Sequence, residues 1–347
     1  MNNIRIAEDF SQLEALLPQN RRVFVVIDEA LKPFYDYFSR FECIGLRTSE
    51  HDKTLDTVER LSNELLERGA DRQSFLIGAG GGILTDLCGF TASIYKRGIR
   101  FGFIPSTLLA QVDASIGGKN GVNFHAYKNI LGTITQPEWI YICTDLLKTL
   151  PPREFRAGIA EVLKTFVLFD AADYERAVVY FAELEQFRQQ HGSYCTAGEG
   201  RLYKQEVLTE LIRRTAGWKS RVVERDPFER GERRLLNLGH TFAHAIEKNC
   251  TIMHGEAVGI GLVLAARVAA RLQLAPASLA RQLASDLERV GLPAESPVPA
   301  AQLVEALAKD KKVDGKSIHF ILPHAVGTVS DELLSLQQLE ELSHDLC

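Results

Sequence analysis

The 347-residue chain has no Cys-x-x-Cys pair, no Gly-Lys-Ser/Thr directly after its glycine cluster, no internal repeat and no low-complexity tract. Its six cysteines, Cys43, Cys88, Cys143, Cys195, Cys250 and Cys347, are widely scattered. That fits a reducing compartment better than a disulfide framework. The longest apolar stretch, Ala257 to Ala266, stops at Arg267, about half of the roughly 20 residues needed to span a bilayer. Met1 to Phe10 lacks a basic patch followed by an apolar segment, so no export signal is read there and a cytoplasmic protein is expected. No excess of positive charge exists either. Forty Lys and Arg stand against forty-five Asp and Glu, a formal charge of −5, so bulk electrostatic binding of nucleic acid is not expected. With 46% hydrophobic and 24% charged residues, the chain is neither disordered, collagenous nor a coiled-coil rod.

What is present divides into two grammars. Arg22 to Ile27, Ser74 to Ile77, Arg100 to Ile104 and Trp139 to Cys143 are short apolar runs of strand length. Thr54 to Arg68 carries Leu55, Val58, Leu61, Leu65 and Leu66 at helical spacing, with Gly69 just beyond. Strand, helix, strand with short connections predicts parallel pairing. The second half reads as helices over 153–169, 203–225, 241–249, 256–272 and 278–290, with 317–322 as a strand or hairpin arm. Pro151-Pro152 punctuates the two halves. The expected fold is an α/β N-terminal nucleotide-binding domain with a parallel Rossmann-like sheet over 1–151, then an all-helical C-terminal domain over 152–347.

Glycines 78, 80, 81 and 82 follow one predicted strand and precede a predicted helix. Such a turn lets backbone N–H groups approach a phosphate at a helix N-terminus. The spacing is not GxGxxG, so a purely structural tight turn is the competing reading. A second constellation is richer in chemistry. His240 and His244, at i and i+4, share a helix face. His254 and Glu256 follow, and Glu161 and Lys164 lie one helical turn apart upstream. Two histidines and a carboxylate suit zinc and leave a position open for a substrate oxygen. Spacing alone does not choose among His240, His244, Glu247, His254 and Glu256. Lys119, Lys128, Lys219, Arg233, Lys311 and Lys312 recur in apolar or glycine-rich company, as in a pocket for an anionic, oxygen-rich ligand.

Taken together, Gly80 to Asp86, Ile104 to Asp113, Gly117 to Lys119, Lys128-Asn129, Thr149 to Glu154, Glu161 to Lys164, Arg233 to His244 and His254 to Ala257 resemble the 3-dehydroquinate synthase family of sugar-phosphate cyclases. The resemblance runs from about Arg22 to Val329. It implies an N-terminal nucleotide-binding domain, a helical C-terminal domain and an active site in the cleft between them. The implied reaction converts 3-deoxy-D-arabino-heptulosonate 7-phosphate into 3-dehydroquinate and phosphate, with NAD used and regenerated and a divalent zinc or cobalt ion. By the same resemblance, Glu161, His240 and His254 hold the metal, and His244 contacts the substrate phosphate. Lys119, Asn129, Asn237 and one of Lys311 and Lys312 share the phosphate end. Lys219 and Arg233 grip the carboxylate, and Asp113 and Lys164 contact hydroxyls. Asp28, Glu50, Lys53, Gly81, Gly82, Asp86, Ser106, Thr107, Lys128 and Thr149 match NAD-contacting positions. Arg97 matches an arginine that reaches the phosphate from a neighbouring subunit, which implies a homodimer. Ser106 and Asn120 stand where the family reads threonine, and the interval from His240 to His254 is short. The rival readings are another sugar-phosphate cyclase, whose substrate lacks the carboxylate, and a metal-dependent alcohol or glycerol dehydrogenase that accumulates NADH.

Overall fold

The computed structural model describes residues 3–125, 127–196, 200–308 and 317–343. Contacts divide the chain into two compact units: Met1–Leu150 with Glu199–Ser220, and Pro151–Gly198 with Arg221–Cys347. The first unit is therefore discontinuous in sequence.

Its centre is a six-stranded sheet of β1 (Ile4–Ala7), β2 (Val23–Asp28), β3 (Glu42–Leu46), β4 (Phe75–Gly80), β5 (Arg100–Pro105) and β8 (Trp139–Cys143), in the order β1-β8-β5-β4-β2-β3. Every pairing is parallel, as the sequence predicts. β4 and β8 are buried along their whole length, which is why they read as continuous apolar runs rather than as alternation. Around the sheet lie a helical turn α1 (Tyr35–Phe38), α2 (Leu55–Glu67) and α3 (Gly82–Ile94). In α2 the Thr54 hydroxyl accepts from the Thr57 N–H, and Val58, Leu61 and Leu65 are buried. Leu55 and Leu66 face outward instead.

An antiparallel hairpin of β6 (Lys119–Phe124) and β7 (Tyr127–Ile134) stands apart from the main sheet. Asn120 anchors its base. The side chain is buried, and its Nδ2 donates to the Gly118 and Thr135 carbonyls, each at 2.9 Å. The polar residue at this family threonine position thus has a structural task.

The second unit contains α4 (Pro152–Phe169), α5 (Ala171–His191), the end of α6 (Gln205–Arg225), α7 (His240–Asn249), α8 (His254–Arg271), α9 (Ala277–Arg289), α10 (Ala300–Ala308) and α11 (Leu336–Ser343). Pro152 occupies the first helical position of α4, where its missing N–H costs nothing. Helix α8 is the core of the unit. Ala257 through Ala266 are all buried, and α4, α7 and α9 pack around it. The apolar run noted in the sequence is therefore a helix surrounded by protein, and among the described residues no helix is long and apolar enough to cross a membrane. The segment expected as a hairpin arm is β9 (Ser317–Ala325), paired antiparallel with β10 (Thr328–Ser335). The helical region therefore also carries one two-stranded sheet. Ile318, Phe320 and Leu322 are buried at alternate positions of β9, and Gly327 turns the chain at φ 88°.

Candidate active site

In the second unit, Glu161 lies in the middle of α4, while His240 and His254 are the first residues of α7 and α8. One ligand atom from each lies within 4.8 Å of the others. His240 Nε2 is 3.7 Å and His254 Nε2 is 3.5 Å from Glu161 Oε1. Ligands placed about 2.0–2.1 Å from a tetrahedral ion stand roughly 3.3–3.5 Å apart, so the spacing suits zinc or a similar ion.

The donor chemistry fits as well. His240 Nδ1 is 3.2 Å from the Leu238 carbonyl. This favours the Nδ1–H tautomer and leaves the Nε2 lone pair facing inward. His254 Nδ1 is 3.4 Å from Glu247 Oε1, a carboxylate–histidine pairing of the kind that supports metal ligands. Glu161 is fully buried, and neither of its oxygens has a hydrogen bond of full geometry among the described residues, although the Lys164 ammonium lies against Oε2. Buried carboxylate oxygens in that condition call for a cation.

The electrostatics are tightly balanced. Burial alone would raise the Glu161 carboxyl, but the Lys164 ammonium and the two imidazoles hold it well below the usual carboxylate range. Burial, with Lys164 nearby, keeps His240 well below its ordinary value and hence neutral. Burial also pulls His254 down, yet the facing Glu161 and Glu247 carboxylates outweigh it and push the imidazole up to about 9. A metal would compete with that proton.

Three of the five residues left open by spacing are now placed outside the ligand cluster. His244 lies half-buried one turn along α7, its ring 5.8 Å from that of His240. Glu247 faces His254. Glu256 receives a bidentate pair from Arg153 at 2.7 and 2.8 Å, and its Oε2 accepts the Met253 N–H at 3.2 Å. Nearby, Asn237 Nδ2 donates to Glu229 Oε1 at 2.6 Å. Arg233 is buried, and its guanidinium donates to the Pro227 carbonyl at 2.7 Å. Lys311 and Lys312 lie outside the described residues.

The first unit carries the glycine turn. Gly81 caps α3 without any side-chain cap bond, so first-turn N–H groups remain for an anion. A Cβ on Gly81 would stand 3.2 Å from the Thr107 methyl, and one on Gly82 3.0 Å from the Ala114 methyl. The glycines thus allow the loop after β5, with buried Ser106, to approach the turn.

Beside it, Lys53 Nζ bonds both Asp86 Oδ2 and Asn129 Oδ1 at 2.5 Å. Burial pushes the Asp86 carboxyl up to about 6 against the opposing pull of Lys53. Asn123, which sequence reasoning did not single out, extends this network. Its Nδ2 donates to Glu50 Oε1 at 2.8 Å, and its Oδ1 accepts the Asn129 N–H at 2.9 Å. Asn129, with φ 52°, is thereby linked to Lys53, Asp86 and, through Asn123, to Glu50. Asp28 accepts from the Ala30 N–H at 2.9 Å and from the Thr48 hydroxyl at 2.5 Å. Lys119, Lys128 and Thr149 are exposed.

Asp113 lies in a π-helical turn, Ala110–Ala114, a geometry frequent at functional sites and without a signal in the sequence. Lys219 Nζ donates to its Oδ1 at 2.6 Å and to its carbonyl at 2.8 Å. Arg97 is exposed in a sharp turn in which Lys96, Arg97 and Gly98 all have positive φ, at 49°, 70° and 111°.

Comparison with known proteins places these features in a family. A profile described as 3-dehydroquinate synthase N-terminal matches residues 43–157, and one described as 3-dehydroquinate synthase C-terminal matches residues 158–313. The chain is 43% identical over 292 residues to a 3-dehydroquinate synthase of Sulfurovum sp. (strain NBC37-1), covering 83% of this chain and 78% of the relative. It is 41% identical over 305 residues to that of Pyrococcus abyssi, covering 86% and 85%. Among solved structures it is similar to ValA, the 2-epi-5-epi-valiolone synthase of Streptomyces hygroscopicus subsp. jinggangensis 5008 with NAD+ and Zn2+ bound. That likeness has a TM-score of 0.84 and 26% identity, and covers 99% of this chain and 96% of the other.

Proposed function

The chain belongs to the 3-dehydroquinate synthase family, and from that membership we propose how its residues divide the work. It converts 3-deoxy-D-arabino-heptulosonate 7-phosphate to 3-dehydroquinate and phosphate, the second step of the shikimate route. The reaction combines transient oxidation, phosphate elimination, reduction, ring opening and intramolecular aldol closure. When bound, NAD supplies reversible hydride transfer, and zinc or cobalt polarises substrate hydroxyl oxygens.

Glu161, His240 and His254 hold the ion. The observation that carries this reading is the buried Glu161 carboxylate facing two imidazole nitrogens that can present lone pairs. Lys164 and Asp113 orient substrate hydroxyls. Lys219 and Arg233 fix the carboxylate, a pair that an inositol-like or valiolone-like substrate would not need. Lys119, Asn129, Asn237, His244 and one of Lys311 and Lys312 hold the phosphate end. The Gly81–Gly82 turn, Asp86, Lys53, Glu50, Asp28, Ser106, Thr107, Lys128 and Thr149 bind NAD. Residues 1–151 serve as the NAD domain and 152–347 as the metal and substrate domain, apart from Glu199–Ser220, which belongs to the first compact unit. The protein's work is chiefly to hold a dianionic molecule at both ends through several chemical steps.

The enzyme works in the cytoplasm as a homodimer, in which Arg97 reaches the phosphate bound by its partner. Arg97 is exposed on a sharp turn, and Phe124, Tyr127, Ile130 and Ile134 of the β6–β7 hairpin are exposed apolar side chains; both features support a second copy as the neighbour.

The deciding assay supplies the heptulosonate phosphate with NAD and metal and follows phosphate and 3-dehydroquinate together. Equal yields of both, lost on chelation and regained with zinc or cobalt, are expected. Steady NADH accumulation, phosphate without the carbocycle, or full activity in chelator would each reject the corresponding part of the reading.

A further inference from the structure

The three proposed ligands come from three helices, and the helices meet through bare backbone beside each ligand. On α8, Gly255 follows His254 directly. A Cβ built on it would stand 2.5 Å from both Cα and the carbonyl carbon of Ala157, and closer still to the Ala157 oxygen. Ala157 lies one turn before Glu161 on α4. Six residues along α8, a Cβ on Gly261 would stand 2.9 Å from the Gly239 carbonyl carbon, again closer to its oxygen. Gly239 is the residue before His240. It sits at φ 77°, and a Cβ there would be 3.1 Å from the Leu262 nitrogen and the Val258 oxygen. Non-bonded carbon atoms rest at about 3.5–4.0 Å. An alanine at position 255 would therefore drive α8 from α4 by on the order of 1 Å, whereas a metal site tolerates about 0.2 Å in ligand distances. Gly259 of the same helix is different. Its added Cβ would meet Leu287 Cδ2 at 3.4 Å, an ordinary contact with a movable side chain.

We infer that Gly255 and Gly261 are positioning residues of the metal centre. Gly255 sets His254 against Glu161, and Gly261 sets His254 against His240. The bidentate Arg153–Glu256 pair, which ties the starts of α4 and α8 together, reinforces the first contact. This inference rests on Glu161, His240 and His254 as the ligand set.

The test titrates Co2+ into the full-length, metal-stripped chain and its Gly255→Ala, Gly261→Ala and Gly259→Ala variants. It reads affinity by competition with a chelating dye, the visible cobalt spectrum, and helicity by circular dichroism. The wild type and Gly259→Ala should bind alike. Gly255→Ala and Gly261→Ala should keep their helicity, lose about 10- to 100-fold in affinity and give an altered cobalt spectrum. Wild-type affinity and spectrum in both variants would overturn the inference while leaving the ligand set intact. Failure of both to fold while Gly259→Ala folds would overturn it too, because the glycines would then serve the fold as a whole. A wild type that binds no Co2+ would remove the ligand set and this inference with it.

Discussion

Glu161 and Lys164 form an ion pair that is almost wholly inaccessible to solvent, with side-chain exposures of 0% and 1%. Replacing Glu161 by Gln in the metal-free protein keeps the side chain's shape and removes the carboxylate charge paired with the buried ammonium. Breaking a buried pair by removing one partner costs about 3–5 kcal/mol. The lysine also sets a ceiling. At pH 7 an ordinary lysine gives up its proton for about 4.6 kcal/mol, and at pH 9 for about 1.9 kcal/mol. We therefore expect Glu161→Gln to cost about 3 kcal/mol at pH 7 and less than about 2 kcal/mol at pH 9. The sign follows from linkage: the variant's folded state binds fewer protons at Lys164 than its unfolded state, so its stability rises with pH. The double variant Glu161→Gln/Lys164→Met, which buries no charge at either position, should return to within about 1 kcal/mol of wild type. That corresponds to a coupling of 2 kcal/mol or more, against the ~0.5 kcal/mol scatter of independent sites. Urea unfolding of the chelator-treated chain, followed by circular dichroism at both pH values, measures all of these quantities. A Glu161→Gln cost below about 1 kcal/mol, or strictly additive single and double variants, would refute the reasoning.

Three further outcomes follow. Mixing Arg97→Ala protein with His240→Ala protein and allowing subunits to exchange should restore about a quarter of wild-type activity. Half of randomly paired dimers are mixed, and each has one complete site; no recovery on mixing would place Arg97 in its own chain's site or outside the chemistry. The Glu256 carboxyl is held down first by its bonds to Arg153 and further by the Met253 N–H, so its contribution is present above about pH 4.5 and is lost as pH falls through its folded value. Glu256→Gln should thus cost about 1 kcal/mol at neutral pH and progressively less as the pH is lowered below about 4.5, and a cost independent of pH would contradict the assignment. Arg233→Ala and Lys219→Ala should each lower kcat/KM by about 10- to 100-fold, from the 1.5–3 kcal/mol of a charge-assisted hydrogen bond, mainly through KM. Unchanged kinetics would end the carboxylate role.

The central strands were legible because a parallel sheet covered on both faces turns Phe75 to Ile77 and Trp139 to Cys143 into uninterrupted apolar runs. The β6–β7 hairpin was not, because β7 lies largely in solvent and has no single apolar face. Helix α5 has no clean stripe in its sequence either. Its buried face mixes Asp173 and Glu185 with Tyr174, Val178, Phe181 and Leu184, while Val179 is exposed. In the site, spacing could pair His240 with His244, since both lie on α7, but it could not see across helices. The carboxylate that approaches His240 comes from α4, and the second imidazole from the start of α8. The resemblance supplied that set, and folding brings it within ligand distance. The Lys53 bridge to Asp86 and Asn129 joins residues 33 and 76 positions apart, beyond the reach of any local pattern.

The discontinuity of the first unit bears on how the chain is made. Its sheet is complete once Cys143 has been synthesised, yet Gln205, which donates to Thr144 Oγ1 at 3.2 Å and to Asp145 Oδ1 at 2.8 Å, and Lys219, the partner of Asp113, arrive some 60 to 75 residues later. A growing polypeptide at about 5–20 residues per second therefore carries an unfinished sheet domain for roughly four to fifteen seconds, with the buried faces of Leu208, Leu211 and Ile212 still to come. During that interval the nascent chain is open to chaperones and to aggregation. A gene cut at the proline pair would leave it in that condition permanently.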